Sequence, residues 1–403
     1  MVAAGVIAFA RTVQYRARIM DLPQLLLSLI VIYGSARLFG ELATRLGQSA
    51  VLGELLAGVL VGGSVLGWVE PTQTLKLLGD IGVMLLLFEI GLESDLPTFL
   101  KVGRSAAAVA VIGVVMPFAL GYGVAVSLNL TSLQAVFIGA TLTATSVAVS
   151  ARTLDDLGRL NSLEGTIILG AAVLDDILGL VILSIVVGFV QTGSVSWLAA
   201  GQAAGLAILF LLGAILLGSR YAHWFGSIVN RMQHRGSVIV SAVTFALALG
   251  YAGTLVHLAP LIGAFAAGLI LARTEHRTHL GESIKPVADV FVPIFFVLVG
   301  AAVDLSRLNP FDRQNWTILL LAGALTVVAV FGKLVAGLGA GGKINRWAVG
   351  IGMLPRGEVG LIFAGIGLSS AVISTAEYGA ILAVVALTTL LSPLLLKRYF
   401  KTA

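Results

Sequence analysis

Residues 167–184 read Ile-Ile-Leu-Gly-Ala-Ala-Val-Leu-Asp-Asp-Ile-Leu-Gly-Leu-Val-Ile-Leu-Ser, an apolar run with two adjacent carboxylates, Asp175 and Asp176, at its centre. Coiled as a helix at about 1.5 Å per residue, such a run comes close to crossing the roughly 30 Å of hydrocarbon in a bilayer. A charged side chain at that depth costs at least about 2.5–3.5 kcal/mol on insertion scales, so the pair marks a functional site and requires a partner elsewhere in the chain.

Similar apolar runs recur along all 403 residues, of which 58% are hydrophobic and 11% charged, with a mean hydropathy of +1.03. Soluble chains carry roughly 25% charged residues, so this composition specifies an all-α polytopic membrane protein. The ten-residue alternating strands of outer-membrane barrels are absent. With no cysteine, disulfides and thiolate-held metals are excluded. The net charge of +5 does not signal nucleic acid, because the basic residues lie in short loops, where membrane topology accounts for them.

Thirteen spans are predicted, over 22–40, 51–69, 77–94, 105–127, 132–152, 164–191, 196–218, 237–257, 259–273, 288–304, 316–341, 347–372 and 376–396. Residues 1–21 form a leader or surface segment, with Met20 an alternative start. The loops after odd-numbered spans, together with the C-terminus, hold sixteen Lys and Arg against six on the other side. The C-terminus is therefore expected in the cytoplasm and the N-terminus outside. Three basic residues fall inside spans. Arg37 is near a helix end and can snorkel to the interface. Lys333 is deep and becomes the first candidate partner for the aspartates, because a nearby carboxylate keeps a buried lysine charged. Arg356 belongs to a stretch that breaks its helix.

Two spans depart from a helix-friendly composition, the twelfth as a break and the fifth either as a break or as an intact helix whose hydroxyls bond back to its own carbonyls. The fifth carries Thr141, Thr143, Thr145, Ser146 and Ser150, and the twelfth carries Pro355-Arg356-Gly357-Glu358. Unwound backbone at that depth survives only inside protein or beside a water-filled cavity. The two spans lie seven apart and so run in opposite directions, as in an inverted repeat relating spans four to six to spans eleven to thirteen. Carboxylates, hydroxyls and freed carbonyls make an oxygen-only site, suited to hard cations such as Na+ or Li+. None of the five histidines is near the aspartates in sequence. A carboxylate that holds either a proton or a cation, open to one side at a time, is sufficient for antiport.

Gly170-Ala-Ala-Val-Leu-Asp175-Asp176-Ile-Leu-Gly-Leu, Ala144-Thr145-Ser146-Val, Phe331-Gly-Lys333 and Pro355-Arg-Gly-Glu358-Val-Gly-Leu-Ile together resemble the bacterial NapA-type sodium/proton antiporters of the cation/proton antiporter superfamily, which have the NhaA-like fold. The likeness extends to Gly53-Glu54 in span two, Leu87–Glu93 in span three and Pro293–Gly300 in span ten. It implies a homodimer in which a core domain moves as an elevator against a dimerisation domain. The boundaries implied are 22–104 and 192–304 for the dimerisation side and its linker helix, and 105–191 and 305–403 for the two halves of the core. By position in the motif, Asp176 would carry the cation and the proton, and Asp175 would pair with Lys333. Thr145 and Ser146 would complete the Na+ site, while Thr143, Pro355, Arg356 and Glu358 would support the breaks. The Asp-Asp pair is the pattern associated with electrogenic exchange.

The resemblance implies no cofactor, no enzymatic activity, no nucleic-acid partner and no nucleotide-gating domain, and it places the chain in a bacterial inner membrane or an organellar one such as a thylakoid. Glu54 is expected to be structural and Glu89 to lie near the edge of its helix. Potassium/proton exchange remains open as an alternative, as does, more remotely, a sodium-coupled organic-anion symporter. An intramembrane aspartyl protease is disfavoured, because adjacent aspartates on one helix point roughly 100° apart and cannot form its dyad.

Overall fold

The computed structural model describes residues 20–192, 197–229, 237–275, 277–303 and 316–401. The segment 1–19, and with it most of the expected leader, lies outside the described residues. The chain runs through α1 (Leu22–Arg45), α2 (Ala50–Val61), α3 (Gln73–Glu93), α4 (Leu96–Lys101), α5 (Gly103–Ser127), α6 (Ser132–Thr141), α7 (Val147–Asp156) and α8 (Leu163–Thr192). It continues through α9 (Trp197–Val229), α10 (Ser237–Leu255), α11 (Pro260–Leu271), α12 (Arg277–Ala301), α13 (Trp316–Ala336), α14 (Arg346–Gly352), α15 (Glu358–Ser369) and α16 (Thr375–Lys401). Among the described residues there is no strand, and eight helices are long and apolar enough to cross a membrane.

Helix starts follow local capping chemistry. Asp21 accepts from the Gln24 amide at 3.0 Å to open α1, with Pro23 in its first turn. Thr131 and Gln134 form a capping box at α6, and Asn345 accepts from the Ala348 amide to open α14. Each such cap satisfies a donor that the helix itself leaves unpaired.

Several boundaries differ from the hydropathy reading. The second span was expected to continue to 69, but α2 stops at Val61, where Gly62, Gly63 and Gly67 let the chain fold back and both Trp68 and Val69 donate to Val61 O. α12 begins at Arg277, well before the expected 288, so Lys285 is helical. Arg152, the last residue of the expected fifth span and counted with the loop that follows it, lies within α7, which runs on to Asp156. Hydropathy finds the apolar part of a helix and misses the polar turns that extend it.

Two groups of helices carry most of the packing. In one, α3 packs on α11 and α12, and α2 packs on α1 and α12. Here backbones touch directly: a Cβ at Gly58 would strike Val297 O and the Gly300 Cα, and one at Gly268 would strike Phe88 O and the Gly91 Cα. In the other, α5 packs on α6, α8 and α13, and α13 packs on α16. Here Gly332 sits on Pro117 and Gly139 on Phe118 O, while Gly113 leaves room for the Lys333 side chain on the facing helix. α9 touches α8 on one side and α11 on the other.

Candidate functional site: a buried charge cluster where two interrupted helices meet

α6 and α7 are separated by residues 142–146, and α14 and α15 by residues 353–357. The two breaks bond to each other. The Ser146 amide donates to Pro355 O at 2.7 Å, Thr145 Oγ1 to Met353 O at 3.2 Å and Ser150 Oγ to Gly352 O at 2.7 Å. Hydroxyls thereby occupy Gly352 O and Met353 O, carbonyls at the end of α14 that would otherwise be buried without a donor.

The carbonyls that end α6 receive cations. Arg356 Nη1 donates to Leu142 O and, at 3.3 Å, to Ala144 O, while Lys333 Nζ donates to Thr143 O at 2.6 Å. Positive charge at a helix C-terminus opposes the negative end of its dipole. α16 braces the second break: Thr389 Oγ1 donates to Arg356 O at 2.9 Å, and Ser392 Oγ donates to Ile351 O at 3.0 Å.

α8 brings the carboxylates to this point. Lys333 Nζ is 3.2 Å from Asp175 Oδ2, and both side chains are fully buried. Asp175 Oδ1 has no hydrogen-bond partner, and Asp176 is 8% exposed on the same helix. Thr145, which donates to Met353 O, also borders Asp175. The structure thus gathers Asp175, Asp176, Thr143, Thr145, Ser146, Lys333, Pro355 and Arg356 around one crossing. Glu358 opens α15, and its side chain lies outside the described residues. An arrangement of carboxylate oxygens, hydroxyls and partnered carbonyls, with fixed cations on one side, can hold a proton or a small hard cation.

Sequence reasoning named Ser150 only as one of the hydroxyls of the fifth span and passed over Thr389 and Ser392, although hydroxyls inside an otherwise apolar span were a usable signal there too. It also passed over a second charged region where α2, α3, α7 and α12 meet. There Asp156 accepts from Ser49 Oγ at 2.6 Å and from the Val51 amide at 3.3 Å, so a residue of α7 caps α2. Arg152 lies 3.2 Å from Asp156 and 3.5 Å from Asp289, and Lys285 lies 3.6 Å from Glu89. Glu89 is near the end of α3, as expected, but is 4% exposed. Glu54 is also buried, on the wall of a cavity of about 490 Å³.

A sequence model of the family described as "Sodium/hydrogen exchanger, transmembrane" matches residues 26–402. The chain is 42% identical to the high-affinity Na+/H+ antiporter NhaS3 of Synechocystis, over 94% of this chain and 90% of that protein. It is 37% identical to the Na+/H+–K+ antiporter GerN of Bacillus cereus, over 91% of this chain and 94% of that one. Its fold is similar to the structure of the sodium proton antiporter MjNhaP1 from Methanocaldococcus jannaschii, with a TM-score of 0.66 and 18% identity, covering 94% of this chain and 98% of the other.

Proposed function

Because this chain belongs to the sodium/hydrogen exchanger family and is a multi-pass membrane transporter rather than an enzyme, we propose that it exchanges Na+ or Li+ for H+ at Asp175 and Asp176. The observation that carries this reading is the buried Lys333–Asp175 ion pair beside Asp176, at the meeting of the two helix breaks. Asp176 is the exchanging carboxylate, and Asp175 keeps Lys333 charged until a cation arrives. A cation and a proton compete for the same oxygens, so the arrival of one expels the other, and neither is carried with the other.

The remaining features follow as parts of the same proposal. The thirteen spans, counting each interrupted helix once, divide into an inverted repeat with α5–α8 opposite α13–α16. The α5–α8 and α13–α16 group moves as an elevator against the glycine-packed group of α1–α3 and α10–α12, which forms the homodimer. Support comes from the packing, since backbone-on-backbone glycine contacts, which each group has within itself, suit two rigid bodies. The C-terminus faces the cytoplasm, in keeping with the bias of basic residues. Exchange is electrogenic, with Lys333 as the source of the extra charge moved.

Proteoliposomes loaded with a pH dye test the reading. Imposed Na+ or Li+ gradients should drive proton movement in the opposite direction, and Asp176→Asn should abolish it. A side-by-side titration with K+ distinguishes sodium from potassium exchange, an alternative kept in view by the similarity to GerN, a Na+/H+–K+ antiporter. Unimpaired exchange in Asp176→Asn would sink the assignment.

A further inference from the structure

The cavity beside Glu54 lies between α1, α2, α12 and the half-helix α7, and has room for on the order of ten water molecules. Arg37, Glu41, Glu54, Arg152 and Asp289 are on its wall. Most of these are already engaged: Glu41 pairs with Arg45 at 2.9 Å, and Arg152 with Asp156 and Asp289. Glu54 is different. It is 7% exposed, and its Oε2 is buried without a hydrogen-bond partner. A purely structural glutamate on a helix this tightly packed would direct that oxygen at a donor, because an unsatisfied buried acceptor costs about 1–3 kcal/mol. Gly53 and Gly58 press α2 against α1 and α12, which fixes the backbone that carries the Glu54 side chain.

The surroundings have an excess of negative charge. Glu54, Glu89, Glu93, Asp155, Asp156 and Asp289 interact electrostatically with Arg152 and Lys285, with Arg37 on the cavity wall and with Arg277. Among the described residues no three acidic groups converge as a metal cage. Charge without a cage concentrates hydrated monovalent cations and offers a divalent ion no chelate. Arg152, on the cavity wall, is six residues along α7 from Ser146, about 9 Å of helix from the crossing.

We propose that this cavity is a loading station in which a hydrated alkali cation collects against the Glu54 carboxylate before it passes along α7 to Asp175 and Asp176. The inference rests on the exchange reading above. It replaces the expectation that Glu54 is only structural.

The chain has no cysteine, so a single introduced thiol reports the local field without background. Val290 is on the cavity wall and 49% exposed, which suits Val290→Cys. Cationic and anionic methanethiosulfonate reagents should label it at rates differing by about fivefold or more in favour of the cation, after correction for their reactivity with a free thiol. Glu54→Gln should at least halve that ratio, and Na+ or K+ should slow the cationic reagent more than choline at equal ionic strength. A ratio near one, or a ratio unaffected by Glu54→Gln, overturns the proposal whether or not the protein exchanges sodium. In proteoliposomes Glu54→Gln should raise KM for Na+ about threefold or more with a smaller change in kcat, and Glu54→Asp should restore it. An unchanged KM also overturns the station. Absence of exchange in the parent protein would instead count against the function proposed above, while the labelling ratio still decides the station. Should Glu54→Gln fail to fold, Asp289→Asn at the same wall takes its place, with the same two outcomes.

Discussion

The crossing and the charged seam both join segments distant in sequence, but they are built in opposite ways. At the crossing, Lys333, Asp175 and Arg356 have no exposed surface, and the carbonyls freed by the helix breaks receive donors. At the seam, Lys285 and the Asp289 side chain are about half exposed, and carboxylates outnumber cations. The first arrangement fixes geometry, because a buried charge that loses its partner is severely destabilising. The second tolerates rearrangement, since partly solvated ion pairs contribute little individually and are screened by salt. A transporter needs both: a rigid site that binds, and contacts outside it that give way.

The comparison can be broken at either end. The largest effect should come from Asp176→Asn, which is expected to reduce exchange at least ~100-fold, or ~2.7 kcal/mol in the barrier, as read by dye-monitored flux. Lys333→Gln should come next, lowering stability in detergent by about 3–5 kcal/mol and weakening the voltage dependence of exchange. Adding Asp175→Asn should return part of that stability, because no charge is then left alone. A double variant no more stable than the single one would show that the pair is not the organising interaction. Arg356→Ala removes the charged donor to Leu142 O and Ala144 O, and should cost about 1.5–3 kcal/mol. The seam should respond least: Asp156→Ala removes the cap on α2 and should cost about 1 kcal/mol by thermal unfolding. Its loss should alter transport rate more than stability. A loss at Asp156 as large as that at Lys333 would erase the distinction between the two regions.

Much of the crossing was legible in the sequence because it violates the rules of a lipid-facing helix. Asp175, Asp176 and Lys333 are charges where hydrocarbon forbids them, and Pro355-Arg356-Gly357 stands where a helix should continue. The need for opposite charges made Lys333 a candidate partner for the two aspartates, and the choice of Asp175 came from the resemblance. The seam was not legible, because Arg152, Asp156, Lys285 and Asp289 lie near span ends, where charged residues are ordinary. Only the fold brings them within a few ångströms of one another. The same holds for Ser49, whose hydroxyl donates to Asp156 across 107 positions of sequence. Gly62, Gly63 and Gly67 show the reverse error, since hydropathy ran through them while the backbone turned.

The most direct test of the exchange site is calorimetric titration of Na+ into the purified protein in buffers of different ionisation enthalpy, which counts the protons released per cation bound. Competition at Asp176 predicts proton release with Na+ binding near neutral pH in the parent protein and its loss in Asp176→Asn. Sodium binding without proton release in the parent, or undiminished release in Asp176→Asn, would contradict it.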